Sequence, residues 1–74
     1  MKRNRKDIWN VYHIRDIFGW SEIYSIKYVN NVWVEKCQRF YGSKSQEMVY
    51  KVPISSAVGE SAYKLAKIRK GWSN

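Results

Sequence analysis

The hydrophobic positions of this chain change their spacing once. Beyond residue 21, strand-like apolar and polar residues fill three stretches, 23–28, 33–41 and 47–52, and a helical run opens at Ser55/Ser56 and ends at Gly71. This order predicts an α+β fold: a three-stranded antiparallel sheet packed against one C-terminal helix, with an N-terminal extension. Residues 1–20 are then a basic arm and extension, and residues 21–74 the sheet-plus-helix domain.

The turns give the register. Asn30-Asn31 suits a two-residue hairpin turn because Asn tolerates positive φ. Val29 then faces Val32 and Tyr28 faces Trp33. Side chains alternate along a strand, so Tyr24, Ile26, Tyr28, Trp33, Glu35, Cys37, Arg39 and Tyr41 share one face. Ile23, Ser25, Lys27, Val29, Val32, Val34, Lys36, Gln38 and Phe40 share the other. Closing the second hairpin with residues 42–45 sets Tyr41 opposite Gln46, Arg39 opposite Met48, Cys37 opposite Tyr50 and Glu35 opposite Val52. Met48, Tyr50 and Val52 join the first face, and Val49 and Lys51 the second. A slip of one residue would invert every assignment.

The aromatic-rich face is the expected core side. Glu35 and Arg39 break its pattern, and reach its rim or pair with helix residues such as Arg69 or Lys64. The helix offers Val58, Ala62, Leu65, Ala66 and Ile68 to the sheet. Ser55 or Ser56 serves as N-cap, and Glu60 favours the positive end of the helix dipole. Lys64, Lys67, Arg69 and Lys70 crowd the last turns, and Gly71 is the stop. Residues 7–20 stay open in type. Asp7 could cap a helix ending near Phe18 with Gly19 as its stop, whereas Trp9, Val11, Tyr12 and Ile14 favour a strand.

Composition narrows the chemistry. Seventy-four residues make one small domain, and 45% hydrophobic with 16% aromatic is too rich for a disordered segment. Fourteen Lys/Arg against six Asp/Glu give a net charge of +8 and a pI near 9.8, in the range of nucleic-acid binders. The single cysteine, Cys37, forms no internal disulfide, and no pair exists for a metal site; neither metal nor cofactor is expected. An intracellular, reducing setting fits, nuclear in a eukaryote and otherwise cytoplasmic. No segment approaches a membrane span, and the charged N-terminus is too interrupted for a signal peptide. No enzyme is expected either, since His13, with Asp16 three residues on, is the only histidine and lacks a recognisable nucleophile or metal cluster to work with.

One helix cannot cover both faces of a sheet, so the free face should carry function. It holds Lys27, Lys36, Gln38 and Lys51, with Ser25 beside them, and the arm adds Lys2, Arg3, Arg5 and Lys6. With the net charge of +8, this points to nucleic acid as the partner. Lysines and arm would neutralise phosphates, and Gln38 and Lys36 would contact base edges. One small module buries little surface, so tight binding calls for a dimer, further domains in a longer chain, or the arm.

The strand–strand–strand–helix order carries landmarks: Asn30-Asn31-Val32-Trp33-Val34, the loop Tyr41-Gly42-Ser43-Lys44, the passage Val52-Pro53-Ile54-Ser55, and Gly59-Glu60-Ser61-Ala62-Tyr63-Lys64-Leu65-Ala66. With these, about residues 21–70 resemble the Apetala-two/ethylene-response-factor DNA-binding domain, closest to its divergent apicomplexan form; related domains occur in mobile-element endonucleases. The resemblance implies a transcription regulator whose partner is double-stranded DNA and whose sheet lies in the major groove. Lys36 and Gln38 would be its strand-two readers, with Val34 near the same surface, and Lys27 and Lys51 its flanking contacts. The chain departs from that pattern at Glu35, where a small residue is usual, and in its lysines and Gln38 where arginines are frequent. Two rivals stand beside this reading. One is a small basic phage or viral inhibitor of an acidic protein, with Trp9, Trp20 and Trp72 suited to a hot spot. The other is a single-stranded RNA binder, which the scarcity of aromatics on the open face disfavours.

Overall fold

In the computed structural model, which describes residues 5–42 and 45–69, the chain is a four-stranded antiparallel meander followed by one helix. The strands run β1 (Asn10–Ile17), β2 (Trp20–Val29), β3 (Val32–Tyr41) and β4 (Ser45–Ile54), in that spatial order, and α1 spans Ser56–Ile68. The α+β class, the open sheet and the C-terminal helix are as expected. The strand count is corrected from three to four, because part of the 1–20 extension is β1, hydrogen-bonded along β2. A 3₁₀ turn, Arg5–Asp7, precedes it. Lys2, Arg3, the loop residues Ser43 and Lys44, Lys70, Gly71 and Trp72 lie outside the described residues.

Asn30 and Asn31 have φ of 53° and 65°, the left-handed pair that a two-residue turn needs to match strand twist. Val29 therefore faces Val32 and Tyr28 faces Trp33, as the alternation predicts. Of the two readings of residues 7–20 the strand one holds, and Gly19, the stop of the helical alternative, takes φ of 95° in the Phe18-Gly19 turn that closes β1 onto β2. Two bulges then break the alternation. In β1, Val11 faces Ser25 and His13 faces Tyr24, which leaves Tyr12 as the extra residue. In β4, Cys37 faces Tyr50 but Gln38 faces Met48, which leaves Val49 as the extra residue. The expected pairs at Tyr50 and Val52 hold. Beyond the bulge, Arg39 faces Glu47 rather than Met48, and Tyr41 faces Ser45 rather than Gln46. Met48 thus moves to the open face and is 48% exposed.

The helix packs on the aromatic face. Ser55 caps it by accepting from the Val58 amide at 3.3 Å, which satisfies one orphan donor of the first turn. Its buried stripe is Gly59, Ala62, Tyr63 and Ala66, a 3, 4, 7 spacing shifted from the expected one; Val58, Leu65 and Ile68 are exposed. Trp33 decides the shift. It is 2% exposed, and its ring lies 4.8 Å from Tyr28 and 5.6 Å from Tyr63 between centroids. Its indole N–H donates to Glu60 at 3.2 Å. So large a ring needs a helix position with no Cβ, and Gly59 provides it.

Where the helix ends, the same sheet face becomes polar. Glu22 is 4% exposed and accepts from Tyr24 and Arg15 at 2.8 Å and from Arg39 at 3.2 Å. Tyr24's hydroxyl, then the two guanidiniums, hold its carboxyl below the ordinary range against the opposing effect of burial. Arg39 also lies 3.9 Å from Glu47. Glu35 accepts from the hydroxyls of Tyr12 and Tyr50, and burial pushes its carboxyl up. The partners of these two residues are thus on the sheet, whereas Arg69 donates to the Tyr12 carbonyl at 2.9 Å.

Two stability predictions follow from this packing. An exposed helical Gly→Ala change gains up to about 1 kcal/mol, yet the Cβ of Gly59→Ala would overlap the Trp33 side chain. The variant should lose about 1–3 kcal/mol as an overpacked site; urea denaturation beside a Ser61→Ala control measures it, and a gain would mean that Trp33 does not sit against α1. Because the folded pKa of Glu22 is depressed, its stabilisation is present above the ordinary Glu value and is lost as pH falls through the depressed one. Glu22→Gln should therefore melt lower than the parent at pH 7, and the gap should close as pH drops below about 4. A gap independent of pH would assign the loss to shape instead of charge.

Candidate nucleic-acid interface

With α1 on one face, the other face of the sheet is left open, and alternation decides what it carries. Val11, Ile14 and Asp16 come from β1; Ser21, Ile23, Ser25 and Lys27 from β2. Val34, Lys36, Gln38 and Phe40 come from β3, and Gln46, Met48 and Lys51 from β4. Lys36 and Lys51 are direct cross-strand partners, and Lys27 lies one diagonal step away, opposite Val34. Like charges directly opposite each other destabilise a sheet. Burial first, then Lys27 and Lys51, push the Lys36 ammonium below its ordinary value. The one carboxylate on this face, among the described residues, is Asp16, which accepts from Ser21 at 2.7 Å near the Phe40 end.

Trp9, just before β1, crosses onto this face. The ammonium groups of Lys36 and Lys27 lie 4.3 and 4.7 Å from its ring centroid, and each such contact contributes roughly 0.5–1 kcal/mol at a surface. Behind Trp9 the sheet holds a concavity of about 440 Å³. Trp9 and Phe40 give it aromatic walls, Ile23 and Val11 apolar ones, and Lys36, Gln38 and Gln46 supply its polar groups. Ser25 lines it as well and is 2% exposed. A second concavity, about 370 Å³ between α1 and Tyr12, is lined by Val58 and Leu65 and has no charged group.

Of the expected DNA-contacting residues, the structure brings Lys27, Lys36, Gln38 and Lys51 together on one face. Ser25 shares that face but is corrected to a buried position, because it lies mid-strand between Val11 and Lys36. Arg5 opens the 3₁₀ turn, and Arg3 lies outside the described residues. His13 and Asp16 do not form a pair. On a strand, three residues apart means opposite faces, and His13 meets the Tyr24 ring at 5.5 Å while Asp16 meets Ser21. Cys37 is buried in β3, and burial pushes its thiol up, away from nucleophilic use. No group of three or more metal-ligating side chains occurs among the described residues, and no helix there is long and apolar enough to cross a membrane.

Trp9, named from sequence only as a hot spot of the inhibitor reading, is the residue of this face that the strand pattern did not place there. Its signal was the two-residue offset to Val11, which places both on one face once the segment is taken as extended. No family model, curated protein or solved structure matches this chain.

The lysine cluster should be a local weakness of the fold. Since the folded pKa of Lys36 is depressed, the repulsion is fully present at neutral pH and fades as pH rises through that depressed value toward the ordinary lysine pKa of about 10.4. Lys51→Gln should therefore raise stability at pH 7 by about 0.2–1 kcal/mol. The gain should shrink above about pH 10 and in high salt. Thermal melts of the two proteins across pH and salt measure it, and a variant no more stable at pH 7 would show that the ammoniums do not repel.

Proposed function

We propose that this domain binds double-stranded DNA through the open face of its sheet, as the DNA-binding module of a transcription regulator. The observation that carries the reading is the cluster of Lys27, Lys36 and Lys51 on neighbouring strands. A sheet gains nothing in stability from three adjacent ammonium groups, one of them partly buried. A polyanion relieves that repulsion, because each phosphate contact neutralises a lysine and releases condensed counterions. The net charge of +8 extends the attraction beyond contact range and speeds encounter. The resemblance to the Apetala-two/ethylene-response-factor domain supports the same face and the same residues.

In this reading Lys27 and Lys51 hold phosphates and fix the register, and Arg3 and Arg5 of the basic arm add contacts beyond the sheet. Lys36 and Gln38 supply sequence preference. A lysine donates to guanine O6/N7, and a glutamine amide pairs with adenine N6/N7, each worth about 1–3 kcal/mol of discrimination. A module of this size buries roughly 600–1,000 Å² of its surface, so selective regulation requires a dimer or further domains.

The test is a salt titration of duplex binding. Replacing Lys27, Lys36 and Lys51 together by alanine should weaken binding and flatten the plot of log K against log salt by up to about three contacts, at roughly 0.9 per contact. The fold should survive, because these side chains lie outside the aromatic core. Selection from a random duplex library should return a motif for the parent. Duplex affinity unchanged in the triple variant would remove this face from the reading. Absence of duplex binding even at low salt would leave the same lysines to a basic inhibitor of an acidic protein.

A further inference from the structure

Resting on that reading, we propose that the concavity behind Trp9 takes one unpaired nucleobase, drawn out of the stack while the lysines hold the strand. A flat face against an intact duplex would need only the edges of its side chains. This face is instead hollowed to about 440 Å³, within the roughly 300–1,000 Å³ of small-molecule sites. Its lining also has the composition a base requires. Trp9 and Phe40 offer ring faces, and every base has a π-face to lay against one. Gln46, from β4, brings an amide beside Gln38, with a donor and an acceptor to meet the Watson–Crick edge that an unstacked base exposes, while Gln38 keeps its contact with the paired bases. Lys51 lies directly across from Lys36, which lines the same cavity, so the phosphate beside the base has the Lys51 cation within reach. The groove under α1 has neither charge nor amides, which separates a site for a charged, hydrogen-bonding ligand from an apolar seam.

Trp9 has two roles in this arrangement. In the free protein its ring shares the Lys27 and Lys36 ammoniums, which softens their repulsion. In the complex a phosphate takes over the Lys27 ammonium and a guanine edge that of Lys36, and the ring is left to the base.

The experiment compares two duplexes of one sequence, fully paired and carrying a single extra unpaired 2-aminopurine. Extruding a base from a paired duplex costs a few kcal/mol that an unpaired base does not require. The bulged duplex should bind between about fivefold and a hundredfold tighter, the range set by stacking one base on an aromatic side chain. The probe's emission should fall on binding, as the base stacks on a ring. Gln46→Ala and Phe40→Leu should each lower the preference for the bulge and leave the affinity for the paired duplex within twofold. Gln46 is an exposed edge-strand residue, so its variant keeps the test open should Phe40 or Trp9 variants unfold. Equal affinity for both duplexes would overturn the pocket and leave duplex binding standing. A preference that survives in both variants would also overturn it, by placing the base elsewhere. If neither duplex binds, the DNA reading fails and the pocket fails with it.

Discussion

The seating of Trp33 against Gly59 determines the rest of the molecule. An indole of that size fits under a helix only where the helix has no side chain, and α1 has one glycine, placed one turn above the Ser55 cap. Once Gly59 lies on Trp33, the rotation of α1 is fixed. Ala62, Tyr63 and Ala66 turn inward, Val58, Leu65 and Ile68 turn out, and Glu60 comes into reach of the indole N–H. The same contact settles which sheet face is covered. Strand alternation then sends Lys27, Lys36, Gln38 and Lys51 to the uncovered side with no further choice. A core contact on one face thus sets the chemistry of the other.

The first hairpin was legible because its information is local. Two adjacent asparagines specify the turn, and the turn fixes every pair from Val29–Val32 outward. What sequence pattern could not supply was where an extra residue is inserted. Nothing in the residue types near Tyr12 or Val49 marks a bulge, and each bulge moves everything beyond it to the other face. That is why Met48 was placed on the core side and why the apolar residues of 7–20 fit neither a helix nor a plain strand. The helix stripe held at Ala62 and Ala66 and failed at Val58, Leu65 and Ile68, for a different reason. Ranking α1 by hydrophobicity favours Val58, Leu65 and Ile68, but contact with a large aromatic ring favours the smallest residues, Gly59, Ala62 and Ala66.

The placing of the lysines together on the open face was also legible, whereas Trp9 beside them was not. Alternation alone put the three lysines together, and their repulsion follows from the pairing of Lys36 with Lys51. The fold tempers it with Trp9, whose ring lies within 5 Å of two of the ammoniums, and by leaving Lys51 exposed on the edge strand, where water screens it. The cluster is therefore only slightly unstable: tolerable in the free protein, and relieved by any arrangement of anions that matches its spacing.

The fourth strand explains how this solution is reached. In a three-stranded sheet, β2 would be an edge, and Ser25 and Ile23 would face solvent beside the lysines. Adding β1 makes β2 central, brings Val11 against Ser25, and delivers Trp9 across β2 and β3. Alternation lets β1 serve both faces, with Val11 on the open side and Tyr12 reaching Glu35 under the helix. The bulge at Tyr12 brings His13 to the covered side as well, against Tyr24. Glu35, the polar residue least expected on the core face, is there because Tyr12 and Tyr50 bring hydroxyls to it. The strand that completes the core is thus also the strand that turns a flat basic sheet into a concave one, and the two functions cannot be separated by deleting it.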